Sequence, residues 1–461
     1  MPRGAAGFAV LVPLIVLVLS MWPTAAAAAE RQKITMWFWG ASPEERQALR
    51  KALVIPFNSS QRKYELTIQF RTSVDNDVRV AAIANKGPDI VYTSGPGDVW
   101  PLARAGKLEP LDALAEKYGW NERLLPPVLN TCRELGHLYC VPPSLIVNGM
   151  FYNKAVLREN GWRVPRTAAE LEAVMKAAQA KGLYASVTGD QGWQPVDQDY
   201  VSLFLNQMVG PERLYDVLTG RSAWTSPDMV AAISALDRWY KAGYLGGSDY
   251  FVLDFDESMS LLQRRRSPFF FGPTLAFQWA KKYFTGADSE DLGFAPFPQM
   301  NSARPYPIYD IGSSFTLSIN ANSRVKAGAA QVLNMILSPQ FVLRISEAWP
   351  GYWSVPLRHI PHDPGAVGVV RAYYQSLAEI SAAVRNGTFG YNLSSFFPNR
   401  TAYLLGQDIE SVWVNEETPL EMLTRAGKVF ARERQLGRVL DSIPAPILNT
   451  KGNPPALPGR Q

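Results

Sequence analysis

Hydrophobic and polar positions along the first hundred residues follow two periods, one typical of strands and one typical of helices. Residues 34–39 form a β-rich apolar run, residues 64–70 form an alternating run, and residues 90–92 form a short third strand. Between the first two, residues 42–45 read Ser-Pro-Glu-Glu, which predicts a helix start with Ser42 as N-cap and Glu45 completing a capping box. Strands that alternate with helices at this spacing predict a parallel sheet with helices on its faces.

The pattern continues through the rest of the chain with longer helices and short apolar strands, and no internal repeat interrupts it. Helices are predicted over residues 167–180, 227–242 and 256–265, and strands over 268–271, 292–294 and 315–319. Beyond residue 325 the chain is predicted to be mainly helical to about residue 440. The segment 444–461 is rich in Pro and Gly, which predicts a flexible tail.

The first 29 residues have the three parts of an export signal. Arg3 supplies the basic start, residues 8–19 are apolar, and residues 25–29 are all alanine. The apolar run is too short to span a bilayer, and no cysteine lies at the expected cut, which argues against a lipid anchor. We therefore expect a soluble mature protein that begins near Glu30 and is located in the periplasm.

Charge and length narrow the class of protein further. The formal charge is 46 − 41 = +5 and becomes 45 − 41 = +4 without the signal, and the basic residues are scattered apart from Arg264–Arg266. This distribution predicts no nucleic-acid partner and no polybasic membrane patch. About 430 mature residues exceed what one hydrophobic core serves, so two lobes are expected.

The only two cysteines, Cys132 and Cys140, lie eight positions apart. In an exported chain the oxidising compartment favours a disulfide that closes a short hairpin loop. A metal site is the alternative, and of the three histidines only His137 is nearby in sequence.

No nucleophile elbow, Walker loop, zinc-binding His pair or dinucleotide fingerprint occurs, which predicts no metal, no cofactor and no enzyme activity. The dense carboxylate group Asp254, Asp256 and Glu257 could imitate the pair of a glycosidase. We favour the interpretation that it is a solvated loop with a helix start, because acids stabilise a helix N-terminus.

An ordered set of segments resembles the bacterial extracellular solute-binding protein family that serves sugar ABC transporters. The longest similarity runs through Leu138-Tyr139-Cys140-Val141-Pro142 into the Phe151-Tyr152-Asn153-Lys154 motif, with Cys140 in place of the usual glycine. Shorter similar segments are 88–91, 102–111, 165–171, 311–315, 351–356, 410–413 and 418–421. The resemblance covers about residues 33 to 435.

The resemblance implies an α/β fold of the type II, Venus-flytrap class: two hinge-connected lobes with the ligand in the cleft between them. Lobe one would hold residues 30–147 and 312–352, and lobe two residues 148–311 and 353–443. Such a protein works as a monomer, closes on a small sugar-like ligand and delivers it to the permease subunits of an ABC importer. It does no chemistry itself.

The resemblance suggests aromatic candidates for the cleft, because the C–H surfaces of sugars pack against aromatic rings. Trp39 closes the first strand, Trp193 lies in a polar loop, and Tyr352 stands beside Trp353 at the third crossing. The competing interpretations are a core position for Trp39, which shares its face with Trp37, and hinge packing for Tyr352.

Polar candidates lie where strands end or cross between lobes. They are Thr93, Ser94 and Asp98 after the third strand, Ser144 at the first crossing, and Asp310, Gly312 and Ser313 at the second. Gly312 would let a backbone N–H approach the ligand closely. Gly272 and Thr274 match a cleft turn of the family, although an aromatic residue sometimes stands at the position of Thr274.

Arg400 matches a position that binds a phosphate or hydroxyl in some relatives, and a salt bridge to the C-terminal helix is equally compatible with the sequence. If Arg400 binds the ligand, a glycerophosphate ester is the alternative to a sugar. Two functions of other classes are also compatible with the sequence. One is a secreted glycosidase acting through Asp254 and Glu257, and the other is a sensor that docks on a receptor instead of a permease.

Overall fold

The computed structural model describes residues 30–191, 195–361, 363–440 and 442–446. The predicted export signal, Trp193 and the tail beyond residue 446 lie outside the described residues. The strands are β1 (Gln32–Trp39), β2 (Tyr64–Arg71), β3 (Ile90–Thr93), β4 (Arg133–Glu134), β5 (His137–Leu138), β6 (Leu145–Asn153), β7 (Phe269–Pro273), β8 (Leu292–Pro296), β9 (Asp310–Ser313), β10 (Thr316–Ile319) and β11 (Gly390–Tyr391).

Helices account for most of the remaining described chain. They are α1 (Pro43–Leu49), α2 (Ile55–Ser60), α3 (Val74–Ile83), α4 (Val99–Arg104), α5 (Asp112–Tyr118), α6 (Trp120–Arg123), α7 (Pro126–Leu129), α8 (Lys154–Glu159), α9 (Ala168–Ala180), α10 (Pro195–Phe204), α11 (Pro211–Leu218), α12 (Pro227–Lys241), α13 (Phe255–Gln263), α14 (Phe277–Tyr283), α15 (Lys326–Ile336), α16 (Pro339–Ala348), α17 (Gly368–Arg385), α18 (Leu393–Phe396), α19 (Asn399–Trp413) and α20 (Pro419–Gln435). Among the described residues, no helix combines the length and apolar character needed to cross a membrane.

Two sheets organise the molecule, one in each lobe. In the first, the strand order is β10-β3-β1-β2, with β1 parallel to β2 and β3, and β10 antiparallel to β3. In the second, the order is β11-β9-β6-β7, and β8 pairs with β6. The parallel arrangement of β1, β2 and β3 confirms the sequence prediction and places the carboxyl ends of these strands at one edge of the sheet.

Local sequence explains several helix starts. Ser42 and Glu45 form the predicted capping box at α1, and Thr167 and Glu170 form the same reciprocal pair at α9. Asp254 is the N-cap of α13 and accepts a hydrogen bond from the backbone N–H of Glu257 at 2.7 Å. The acidic group at this point is therefore a helix start, as the favoured interpretation expected.

The chain passes between the sheets three times. The first pass precedes β6, which starts at Leu145, and the second lies between β9 and β10, at residues 314–315. The third follows α16, where Leu145 N–H donates to Ser354 O at 2.7 Å. The predicted lobe limits at residues 147 and 311 fall inside β6 and β9, and the division of the chain into lobes at those residues stays a prediction.

An aromatic cluster anchors the third pass to the first sheet. The fully buried Phe38 of β1 stacks on Trp353 with ring centroids 5.4 Å apart, and its edge contacts Tyr92 at 5.2 Å and Phe315 at 5.7 Å. Each such pair adds roughly 0.5–1.5 kcal/mol beyond the area that it buries. The cluster therefore fixes the position of the segment that carries Tyr352.

The cysteines flank the small β4–β5 hairpin, in which Arg133 pairs with Leu138 and Glu134 with His137. The sulfur atoms of Cys132 and Cys140 lie 2.01 Å apart, and both residues are fully buried. This arrangement agrees with the prediction that the pair closes a hairpin loop.

Candidate functional site

The three passes between the lobes meet at Ser144. Its hydroxyl donates to the carbonyl oxygen of Tyr352 at 2.6 Å, and Ser314 Oγ lies 2.5 Å from Ser144 Oγ, so the Ser314 hydroxyl supplies the second hydrogen bond. Ser144 is fully buried and its hydroxyl is engaged by the protein. The structure thus gives Ser144 a hinge contact, and a role in ligand binding stays a prediction.

An aromatic face lies where β1 ends. The ring of Trp39 is 5.7 Å from that of Tyr352 and 6.5 Å from that of Trp349, and Tyr352 stacks on Trp349 at 4.7 Å. Trp349 also reaches the second lobe, because its Nε1–H donates to Gln278 Oε1 at 2.8 Å. The three rings therefore stand at the boundary between the lobes.

Trp37 and Trp39 share a face of β1 but differ in their polar contacts. Trp37 Nε1–H donates to Gln69 Oε1 at 2.9 Å, and the Arg71 guanidinium lies 3.7 Å from its ring centroid. Trp39 as a whole is partly buried, but its Nε1 atom is fully buried, and no described residue accepts a hydrogen bond from it. A buried indole N–H without an acceptor is unusual, since this group normally finds a hydrogen-bond partner when it is buried.

Polar groups line the end of β3. Ser94 is exposed, and its backbone N–H donates to Asp75 at 2.8 Å while its hydroxyl donates to the same carboxylate at 2.5 Å. Thr93 is buried and pairs with the hydroxyl of Thr316 at 2.6 Å. Of these two predicted residues, the structure leaves Ser94 at the surface and places Thr93 in the sheet.

Asp98 makes a direct contact across the lobes. Its Oδ1 accepts a hydrogen bond at 3.0 Å from Nδ2 of Asn399, the first residue of α19. Asn399 also lies against Gly97, where a Cβ atom would come within 2.0 Å of Asn399 Oδ1. Burial, and secondly the charge of Asp75, raise the pKa of the Asp98 carboxyl to about 6.

A buried polar cluster lies behind this contact in the second lobe. Asn148 donates from its backbone N–H at 2.9 Å and from Nδ2 at 2.7 Å to the Asp310 carboxylate, and Asp199 and Asn392 lie beside this pair. Burial raises the pKa of Asp310 to about 7, and burial followed by the charge of Asp310 raises the pKa of Asp199 well above its ordinary value.

The hydrogen-bonding capacity of this cluster is not used up by the protein. Asp199 Oδ2, Asn148 Oδ1 and Asn392 Nδ2 are buried atoms without a well-formed hydrogen bond to any described residue, although the Asn148 and Asn392 side chains lie near enough to Asp199 to lower its pKa. Such groups are costly unless they are paired, and together they offer the acceptors and donors that sugar hydroxyls match. Asp310 was predicted from the sequence, whereas Asp199, Asn148 and Asn392 were missed. The available signal for Asn148 was an asparagine in the middle of the fully buried strand β6.

The remaining predicted residues of the second lobe pack against protein. Gly312 would place a Cβ 2.7 Å from Ser395 Oγ, so the close approach that this glycine permits is to α18. Ser313 is fully buried and donates to Phe315 O at 2.7 Å. Thr274 Oγ1 accepts from Val147 N–H at 3.2 Å. Gly272 lies in β7, where a Cβ would meet the Phe270 ring at 2.8 Å.

Arg400 is exposed, in the first turn of α19. It lines a groove of about 480 Å³ between α19 and α20, and its backbone N–H donates to Glu433 at 3.2 Å. The link to the C-terminal helix is thus made by the backbone of Arg400. A ligand contact of its guanidinium stays a prediction, as does the role of Trp193, which lies outside the described residues.

The model of the bacterial extracellular solute-binding protein family matches residues 40–341 of the chain. The chain belongs to this family. The two lobes, the three passes between them and the polar and aromatic residues at their boundary are the structure of a family member, and the resemblance noted in the sequence is confirmed.

Relatives with curated names are distant. A "Probable sugar-binding periplasmic protein" of Brucella suis is 28% identical over 172 residues, which cover 37% of this chain and 41% of the relative. The "Diacetylchitobiose binding protein" of Streptomyces coelicolor is 21% identical over 299 residues, covering 61% of this chain and 62% of that protein. The chain thus spans about two fifths of the length of the Brucella protein that it matches.

Solved structures match over almost the whole fold. A "Chitin oligosaccharide binding protein" has a TM-score of 0.71 at 18% identity and covers 87% of this chain and 100% of its own. A maltose-bound T. maritima protein has a TM-score of 0.69 at 20% identity and covers 87% and 99%. At these identities the similarity establishes the shared two-lobed α/β fold.

Proposed function

We propose that this family member is the receptor of an ABC importer that captures a sugar or a related polyol between its lobes. The observation that carries the proposal is the boundary between the lobes, where Trp39 offers a ring face and an unpartnered N–H beside Tyr352. Sugars present C–H surfaces that lie on aromatic rings and hydroxyls that need directed partners. The names of the relatives support this ligand class.

The two sides of the boundary differ in a way that suits a ligand-driven closure. The first lobe contributes aromatic rings and the Asp98 carboxylate, and the second contributes the amides and carboxyls around Asn148 and Asp310. A ligand that satisfies groups of both lobes favours the closed form over the open one. The proposal therefore assigns binding and release to the chain, and no bond making or breaking.

The proposal extends to the place of action. We infer a periplasmic monomer, exported by a cleaved signal at residues 1–29 and held in part by a Cys132–Cys140 disulfide, that hands its ligand to membrane permease subunits. The family name and the relatives support an extracytoplasmic site, and buried cysteines at bonding distance suit an oxidising compartment.

Thermal unfolding of the purified mature protein tests the ligand class. A ligand that binds only the folded protein adds RT ln(1 + [L]/Kd) to stability, so a saturating sugar should raise Tm by several degrees. The panel contains mono- and disaccharides, chitin and malto-oligosaccharides, polyols and glycerophosphate esters. A shift with glycerophosphate alone, lost in Arg400→Ala, would replace the sugar by a phosphate ester.

Two tryptophan variants locate the site once a ligand is found. Trp39→Ala should raise Kd about tenfold or more, because both the stacking face and the N–H donor are lost. Trp37→Ala, on the same face of the same strand, is the matched control and should leave Kd unchanged. Equal losses in both variants, measured by titration calorimetry, would refute the assignment of Trp39 to the ligand.

A further inference from the structure

Three carboxyl groups meet in the second lobe, away from the contact between Asp98 and Asn399. Asp190 lies in the loop that follows α9, Asp197 lies in the first turn of α10, and Glu410 lies in the last turn of α19. One carboxylate oxygen of each lies within 4.8 Å of the others. Glu410 is eleven residues along α19 from Asn399, which at 1.5 Å per residue separates the group from the lobe boundary by about 16 Å.

Asp197 is the deepest member of the group and is incompletely satisfied. Its residue is 0% exposed, and one oxygen accepts a hydrogen bond from the Tyr250 hydroxyl. The other oxygen, Oδ2, is buried, as is Oδ1 of Asp190, and neither atom has a hydrogen-bond partner among the described residues. A buried carboxylate with one oxygen unpaired and no counter-charge is one of the most costly groups in a folded protein.

The three carboxyls have no basic partner in the part of the chain that the structure describes. No ion pair found within the described residues includes Asp190, Asp197 or Glu410. Burial, followed by the charge of Glu410, raises the pKa of Asp190 to about 7. For Asp197 burial again comes first, and the neighbouring Asp190 and Glu410 carboxyls raise its pKa further.

The spacing of the oxygens matches the coordination of one shared ion. Ca²⁺ binds carboxylate and other oxygen atoms at about 2.3–2.6 Å, so two ligands of the same ion lie at most about 4.6–5.2 Å apart. The three carboxylate oxygens all lie within 4.8 Å of one another, which is close enough for one ion to contact all three. The donors are all oxygen, which suits Ca²⁺ better than the softer transition metals.

We propose that Asp190, Asp197 and Glu410 form a binding site for a divalent cation of the Ca²⁺ class. The ion supplies the positive charge that the protein does not, and it links the loop at Asp190 and the start of α10 to the end of α19. The site is structural and separate from the sugar-binding boundary, so this inference does not depend on the ligand proposed above.

Terbium luminescence tests the site directly, because Tb³⁺ replaces Ca²⁺ at oxygen sites and is excited by nearby aromatic rings. Tyr250 contacts Asp197 through its hydroxyl and lies 5.3 Å from the Trp413 ring, so both are placed to sensitise a bound ion. The mature protein, first treated with EDTA, should bind one Tb³⁺ with a rise in sensitised emission. Ca²⁺ should displace it, and Ca²⁺ alone should raise Tm by several degrees.

Conservative variants assign the signal to these residues. Glu410→Gln and Asp190→Asn each remove one charge from partly exposed positions, so both variants should fold while binding Tb³⁺ at least tenfold more weakly. Glu257→Gln removes an exposed charge in the first turn of α13 and should bind as the parent does. Circular dichroism checks that the three variants retain the same fold.

Two results would overturn the proposal. The first is no sensitised emission and no Ca²⁺-dependent change in Tm in the parent protein, with Glu410→Gln raising its stability; the carboxyls then hold protons instead of a metal. The second is Tb³⁺ binding that persists unchanged in Glu410→Gln and Asp190→Asn, which would place the ion elsewhere.

Discussion

Replacing Asp98 by asparagine is expected to raise the stability of the unliganded protein at neutral pH. The carboxyl has a folded-state pKa of about 6, above its ordinary value of 3.8, because burial and then Asp75 disfavour its charge. Between these two values the folded protein binds the proton more tightly than the unfolded chain. Asp98 therefore does not lower the free energy of unfolding below about pH 4, and its charge becomes increasingly destabilising as the pH rises towards 6.

The size of the expected gain in stability follows from the difference between the folded-state pKa of Asp98 and its ordinary value. About two pKa units correspond to roughly 3 kcal/mol at 1.36 kcal/mol per unit. Since Asp98 is partly exposed, solvent screening reduces this energy, and we expect Asp98→Asn to raise the free energy of unfolding by about 1–2 kcal/mol. Asparagine keeps an oxygen that accepts the 3.0 Å hydrogen bond from Asn399 Nδ2, so the contact between the lobes need not be lost.

Urea unfolding at a series of pH values between 4 and 8 measures this prediction. The free-energy difference between Asp98→Asn and the parent should be near zero at pH 4, grow through pH 5 and 6, and level off above pH 7. Glu122→Gln, which neutralises an exposed acid in α6 of the same lobe, is the control and should show no such rise.

A constant difference across this pH range would refute the reasoning, as would a variant less stable than the parent at pH 7.5. If Asp98 also binds the ligand, the same variant should give a smaller ligand-induced rise in Tm although it starts from a higher one. Such a trade between stability and binding is expected for a charge that is retained for function.

Two further substitutions test how the structure is held together. Glu433 of α20 accepts hydrogen bonds from Thr401 N–H at 3.0 Å and Thr401 Oγ1 at 2.7 Å, at the start of a helix that has no side-chain cap of its own. Glu433→Ala should therefore destabilise the protein by about 3 kcal/mol in urea unfolding, and a loss below 0.5 kcal/mol would contradict this role. Replacing Cys132 and Cys140 together by serine should lower the free energy of unfolding by about 2.5 kcal/mol, because the loop of 8 residues is no longer closed in the unfolded chain. Reduction of the parent protein with dithiothreitol should give the same loss. An unchanged urea midpoint in either experiment would show that the disulfide is absent.

The sequence alone predicted the elements whose signals are local. The capping box at Ser42 needs only residues three apart, and the alternating run that became β2 needs only the period of a strand. The hairpin between Cys132 and Cys140 is equally local. The family resemblance added the order of these elements, and with it the two-lobed fold.

The candidate site could be predicted only in part from the sequence. Trp39 and Asp98 were predicted because ligands in such sheets bind at the carboxyl ends of strands; both lie at the boundary between the lobes, and their contact with a ligand stays a prediction. Asn392 and Asp199 were missed, because one follows a two-residue strand late in the chain and the other lies inside a helix. Neither position has a local pattern that distinguishes a buried polar group from a solvated one.

The sequence by itself determined where strands and helices form, since those choices depend on side chains within a few positions of each other. Tertiary structure alone decided which groups are left without partners. Trp37 and Trp39 have the same local pattern, yet only the N–H of Trp37 meets an acceptor, supplied by β2. Likewise Asp190 and Glu410 are 220 positions apart in sequence, and their carboxyls share one environment only because the fold brings the end of α19 to that loop. Burial and the distance between charges set the energy of such groups, and both exist only in the folded chain.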